Sequence, residues 1–214
     1  MPLVTWWAVL SSGCAPVVLI GGWTLAETVQ PAGYDPMVQS ISSLAAYGAA
    51  DRWMMTASLF LLGLCHAATA VGLRAAALPG RIALGCGAGA TVMVAMSPEP
   101  WGGTTLRHLV ATGIGFTALA LWPVLAATGP DHAMVWVLRP WVGYATMLLM
   151  AAGAAWFLLD LHGHGAAGLV ERILTGYQSL WPLIAVAACV GSRLRAETAP
   201  VPAAAVTSRS ESYK

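Results

Sequence analysis

Charge is what this chain has least of. Of 214 residues only 9% are Asp, Glu, Lys or Arg, against about 25% in an ordinary soluble domain. Too few polar groups remain to cover a soluble surface, and with 58% hydrophobic residues the exterior must be largely lipid-facing. A net charge of +1 and the lack of any basic stripe with interleaved aromatics exclude nucleic acid as a partner. The four cysteines form no CxxC pair and fall within apolar runs, which argues against disulfide or zinc chemistry and for small buried apolar side chains. No internal repeat is present, so the duplicated halves common in secondary transporters are missing. No cofactor motif occurs.

What is present is a series of six uncharged runs near the length of about 20 residues needed to cross a bilayer core. They cover residues 4–25, 53–73, 82–98, 109–128, 140–159 and 173–192. No Lys or Arg precedes the first run and its apolar stretch exceeds a signal-peptide core, so a retained helix is expected. The fold class is therefore all-α, a polytopic six-helix bundle spanning residues 1–193, with residues 194–214 as a disordered, Pro- and Ala-rich tail. Placing both termini in the cytoplasm puts Arg74, Arg81, Arg139, Arg193, Arg195, Arg209 and Lys214 inside and leaves Arg52, Arg107 and Arg172 outside. That asymmetry predicts a multi-pass protein of the cell membrane in this orientation.

Small residues favour close helix contact in lipid, and Gly85 and Gly89 in the third run predict a central packing face. Pro123 and Pro182 interrupt the fourth and sixth runs and predict kinks that open a cavity. Between the first two runs lies a polar insert, PAGYDPMVQSISSLAAYGAADRW, at residues 31–53. Asp35 before Pro36 reads as a helix start and Gly48 as its stop. Met37, Val38, Ile41, Leu44 and Ala45 follow helical spacing, which predicts a short interfacial amphipathic helix lying flat on the membrane or tucked between the spans.

The run GYDPMVQSISSLAAYGAADRWMM, with GLR at 72–74, Arg81, RHL at 107–109 and GLVERI at 168–173, resembles a broad family of bacterial and archaeal membrane proteins known only as a domain of unknown function. The likeness covers about residues 5–192, and the YDP-to-Ser segment carries most of it. It implies a six-span fold and no activity.

Six of the nine acids fall on the predicted outer side: Glu27, Asp35, Asp51, Glu99, Asp160 and Glu171, together with His108, His162 and His164. The default reading is that such acids cap helices and sit in tolerant loops. Glu27 and Glu99 differ in abutting long apolar spans, where a carboxyl held protonated would serve as a general acid. Imidazoles at 162 and 164 have no metal-ligand spacing, so no metal is expected. His66 falls mid-span and is expected to be a neutral imidazole bonded to a neighbouring helix. Ser40, Ser42 and Ser43 lack a GxSxG elbow and an identifiable base, so they read as the polar face of the insert. Arg107 is expected to pair with Glu99, to hold a lipid phosphate or, equally, to serve as an interface anchor.

Most of the ten tryptophans sit near span ends, as an aromatic belt would. Trp181 falls mid-span. Indole faces stabilise cations, so acids and tryptophans around an apolar cavity suit protonation of an alkene and shelter of the carbocation. The expectation is thus an intramembrane protein acting on an apolar isoprenoid-like or lipid substrate, most concretely a terpene cyclase. Catalysis falls to Glu27, Glu99 and Asp35, and substrate binding to Trp23, Trp53, Trp101, Trp181, Tyr34, Arg107 and His108. The competing class is a non-enzymatic lipid-binding or small-solute transport protein. Membrane lipids and an apolar small molecule are the expected partners.

Overall fold

A computed structural model describes residues 3–100, 102–128, 135–163 and 165–198. Among the described residues six helices are each long and apolar enough to cross a membrane: α1 (Trp6–Thr28), α2 (Trp53–Gly72), α3 (Leu78–Ala95), α4 (Leu106–Leu125), α5 (Pro140–Gly163) and α6 (Ala167–Thr198). The protein is a multi-pass helical bundle. Neighbours in sequence pack side by side and α6 returns to α1, closing a ring. Antiparallel succession brings the polar insert, the α3–α4 connection and the α5–α6 connection to one end. The start of α1 and the end of α6 lie at the other.

α2 shows why the ring has a core. Its buried positions Met55, Leu59, Leu62, His66, Thr69 and Ala70 recur every three to four residues, forming one stripe along the helix. Close approach occurs where glycine removes the side chain: a Cβ on Gly63 would lie 2.9 Å from the Ala88 carbonyl oxygen of α3, and one on Gly87 2.8 Å from the Leu119 side chain of α4. Gly85 and Gly89 face away, with no atom within 4 Å of an added Cβ. The expected glycine face thus lies on the opposite side of α3, because a spacing of four marks a face without saying which neighbour it meets.

At the end opposite the insert, short backbone bonds tie the connections down. Thr5 N–H donates to the Gly72 carbonyl at 3.1 Å, and Ala77 N–H to that of Ala126 at 3.1 Å. Arg81 donates to the Ala70 and Val71 carbonyls at 2.8 Å each, satisfying groups that the end of α2 leaves open. Above them the main core gathers Leu73, Leu84, Trp122, Val137, Met150 and Trp181.

Two boundaries differ from expectation. α6 starts at Ala167, six residues before the uncharged run, and it extends to Thr198, into the segment expected to be disordered; the rest of that tail is outside the described residues. The early start admits Glu171 and Arg172 into the helix, because Ile41 and Gln39 of the insert bond them. The insert itself is no α-helix from Asp35. It makes a turn, then a five-residue 3-10 helix, Ile41–Ala45, whose N-cap is Ser40, accepting the Ser43 N–H at 3.2 Å. Asp35 accepts the Met37 N–H at 2.9 Å and caps only the turn. Tertiary bonds claim the backbone that a longer helix would use: Met37 O accepts Leu169 N–H, Gln39 O accepts Arg172, and Ile41 N–H donates to Glu171. Ile41, Leu44 and Ala45 are buried, so this helix is tucked between the spans.

Candidate functional site

The Ile41–Ala45 helix separates two spaces. Below it, inside the ring, lies a narrow cavity of ≈80 Å³ bounded by Ile41 and Ser42. Leu59 to His66 on α2, Thr112 to Leu119 on α4 and Glu171 to Gln178 on α6 line it. Each pair is seven positions apart, so the cavity is a slot about 10 Å long parallel to the helices. Above the same helix is a vestibule of ≈320 Å³ lined by Gln30, Tyr34, Gln39, Ser40, Ser43 and Glu99, among others. Ser42 therefore faces the slot while the serines flanking it face the vestibule.

The polar contact between the two spaces is a Ser–His pair. His108 lies in the first turn of α4, behind a Thr105 cap that accepts its N–H at 3.2 Å, and its ring is buried. Nδ1 lies 2.8 Å from the Ser97 carbonyl oxygen. A carbonyl only accepts, so Nδ1 carries the hydrogen and, in the neutral ring, Nε2 is the acceptor. Ser42 Oγ stands 3.1 Å from Nε2 and is placed to donate to it. Glu99 Oε1 lies 3.6 Å from the same nitrogen, close enough to stabilise an imidazolium if Ser42 gives up its proton. The carbonyl fixes the tautomer, the role a carboxylate plays in a serine-hydrolase triad.

A second cluster holds the insert in place. Arg172 of α6 grips Glu27 of α1 through Nη2 at 2.7 Å and Nε at 2.9 Å. The same guanidinium donates to the Tyr34 hydroxyl at 2.7 Å and to the Gln39 carbonyl at 2.9 Å. Burial raises the Tyr34 pKa above its ordinary value, and the charge of Arg172 opposes that rise. One turn of the insert is also fastened by Glu171, whose Oε2 accepts the Ile41 N–H at 2.6 Å. Gly168 allows the close approach: a Cβ there would collide with the Gln39 and Pro36 carbonyls.

The residues singled out from sequence are thus distributed over several places. Glu99 and His108 meet; Glu27 and Tyr34 both bond Arg172, Glu27 as its ion-pair partner and Tyr34 as a hydrogen-bond acceptor. Trp23 is half-buried and packs over Gly176. Trp181 is buried at the far core against Tyr177 and Trp136. Trp53 is exposed, with the Arg52 guanidinium stacked 3.9 Å over its ring. Asp35 is exposed, and so is Arg107, since Glu99 turns to His108 instead. Trp101 and His164 lie outside the described residues. Among the described residues no tryptophan lines the slot, and its one carboxyl is Glu171. Among those residues no three His, Cys, Asp or Glu side chains converge as a metal site would require. His66 lines the slot, but among the described residues neither ring nitrogen has the bond to a neighbouring helix that was expected.

Sequence reasoning passed over Ser42 as a site residue and treated Glu171 and Arg172 as loop charges. A charged pair opening an apolar run was their only signal, whereas the partner of Ser42 lies 66 positions away.

The family described as "Protein of unknown function (DUF998)" matches residues 13–188. No curated protein and no solved structure matches the chain.

Proposed function

Since the chain belongs to the DUF998 family, whose description assigns no reaction, we propose from the geometry of the site that it is an intramembrane serine acyltransferase or hydrolase acting on a lipid-like ester, thioester or amide. The observation that carries this reading is the Ser42 Oγ–His108 Nε2 contact of 3.1 Å at the mouth of an apolar slot. Nucleophile and base stand at hydrogen-bond distance and the base is oriented by a third group, which is the arrangement activated serines require. An acyl chain enters the slot with its carbonyl carbon beside Ser42. Oγ attacks that carbon as its proton passes to His108 Nε2, and Glu99 offsets the imidazolium charge. The imidazolium then protonates the leaving group, which departs through the vestibule. Water or an alcohol arriving by the same route releases the acyl chain, with His108 again taking the proton.

A slot of this size is below the roughly 300–1,000 Å³ of common ligand sites, so it suits one unbranched chain of modest length. The arginine asymmetry supports an orientation in the cell membrane with both termini cytoplasmic and the vestibule outside. A second reading, the isoprenoid cyclase, is supported by one observation: Glu171 stands at the slot mouth and would be its proton donor.

The test is covalent labelling of the detergent-solubilised full chain by an alkyl fluorophosphonate, read by mass spectrometry. Labelling at Ser42 is expected, with loss of at least tenfold in Ser42→Ala and in His108→Gln. A wild-type protein that takes up no label, or a Ser42→Ala variant that labels equally, refutes the acyl-transfer reading. Turnover of a prenyl substrate that disappears in Glu171→Gln would establish the cyclase instead.

A further inference from the structure

The slot is lined largely by apolar atoms, and polar side chains reach it at several depths. His66 is 1% exposed, lines the slot at the α2 position farthest from Ser42, and among the described residues has no partner for either ring nitrogen. Thr112 Oγ1, on the α4 wall, is likewise buried and unpartnered among those residues. The other hydroxyls there are satisfied: Thr91 donates to the Gly87 carbonyl at 2.9 Å and Thr175 to that of Glu171 at 2.8 Å. Buried polar groups in folded proteins nearly always find partners, so an imidazole and a hydroxyl left over in this lining ask for them. An ionisable side chain at this depth of a membrane bundle is a functional group by default.

The floor lies two helical turns from the mouth, as Leu59 and His66 are seven positions apart on α2, or about 10 Å. We propose that His66 is a recognition residue for an oxygen function, a hydroxyl or carbonyl, carried at the far end of a chain of about eight carbons lying in the slot. Imidazole supplies both a donor and an acceptor, so either oxygen function satisfies it. Thr112 supplies a second hydroxyl along the wall for an oxygen nearer the mouth. A chain ending in a methyl group leaves His66 unmatched. This recognition goes with the slot, and it rests on the acyl-transfer reading only for which end of the chain faces Ser42.

The experiment uses the full chain in nanodiscs with ring-15N-labelled histidine, titrated separately with octane, 1-octanol and 1,8-octanediol. The diol, which can satisfy mouth and floor together, is expected to shift the His66 resonances saturably and to bind about tenfold more tightly than 1-octanol. Octane is expected to leave those resonances in place. His66→Leu should abolish the preference for the diol, whereas Thr112→Val, which leaves the floor intact, should keep the saturable His66 shift. Ser42→Ala should keep the full shift, which separates floor recognition from the nucleophile. Equal affinities for all three probes, a preference that survives in His66→Leu, or no His66 shift with any probe would each overturn the proposal.

Discussion

The two ends of the bundle are built from helices of similar length and greasiness, yet they are held together by different forces. At the end opposite the insert, cohesion comes from close packing together with backbone bonds between the connections. The backbone of Gly143 in α5 lies so near α4 that a Cβ would come within 2.6 Å of the Pro123 carbonyl oxygen, and Trp122 and Leu84 are sealed beside it. At the insert end an irregular segment descends among the helices, and hydrogen bonds hold it: Arg172 to Glu27, Tyr34 and Gln39, Glu171 to Ile41, and His108 to Ser42. Irregular backbone at membrane depth persists only when protein groups satisfy it. The polar end therefore encloses a space with reactive groups on its wall. A packed core leaves no room for a substrate, whereas a polar-bonded insert can border a cavity without collapsing into it.

The largest break in that contrast is expected from Arg172→Met, which removes the partner of the Glu27 carboxylate and of three further oxygens, those of Tyr34, Gln39 and Gly168. The pair is partly buried, and stranding hydrogen-bonded groups of this kind costs about 1–3 kcal/mol, to be measured by denaturation in detergent micelles. Arg172→Met combined with Glu27→Gln should lose less than the sum of the single changes. A loss under about 1 kcal/mol would show that the insert is held by something other than this cluster.

Two glycines, one at each end, sharpen the comparison. Gly168→Ala and Gly143→Ala each force a Cβ against backbone, and overpacking of this kind costs about 1–3 kcal/mol. Their consequences should diverge. The first displaces the Pro36–Gln39 stretch and should reduce fluorophosphonate labelling of Ser42 severalfold or more; the second should leave labelling intact at equal loss of stability. Labelling that falls equally in both variants would mean that the two ends are not separable.

The smallest effects belong to Gly85→Ala and Gly89→Ala. Both look outward from α3, so each should change stability by no more than about 0.5 kcal/mol. Loss beyond about 1 kcal/mol would indicate a partner on that face.

Much of the fold was legible because crossing a bilayer imposes a length of apolar chain that can be counted. The insert too was recognisable, through the composition of residues 31–53. Its conformation was not. Asp35–Pro36 is a sound local helix start, yet the amide of Ile41 and the carbonyls of Met37 and Gln39 bond to α6, and the helix shrinks to Ile41–Ala45. The same long-range bonds explain the misplaced start of α6: Glu171 and Arg172 look like loop residues until their partners arrive from 130 and 145 positions earlier. The acids and tryptophans could be placed near span ends, but sequence does not say toward which neighbour each one turns. Glu99 turned to His108, Glu27 to Arg172 and Trp181 to the packed core.

What the amino-acid order determined by itself is the class of protein: six spans, their antiparallel succession, a polar segment after the first and membership of a six-helix family. Hydrophobicity and chain length act locally and additively, so they can be read one window at a time. What only the tertiary structure decided is which polar groups meet. Ser42 with His108, Glu171 with Ile41, and His66 facing a slot without a partner among the described residues are products of helix rotation and ring closure. A buried polar side chain gets its role from the atom opposite it, and that atom lies on another helix.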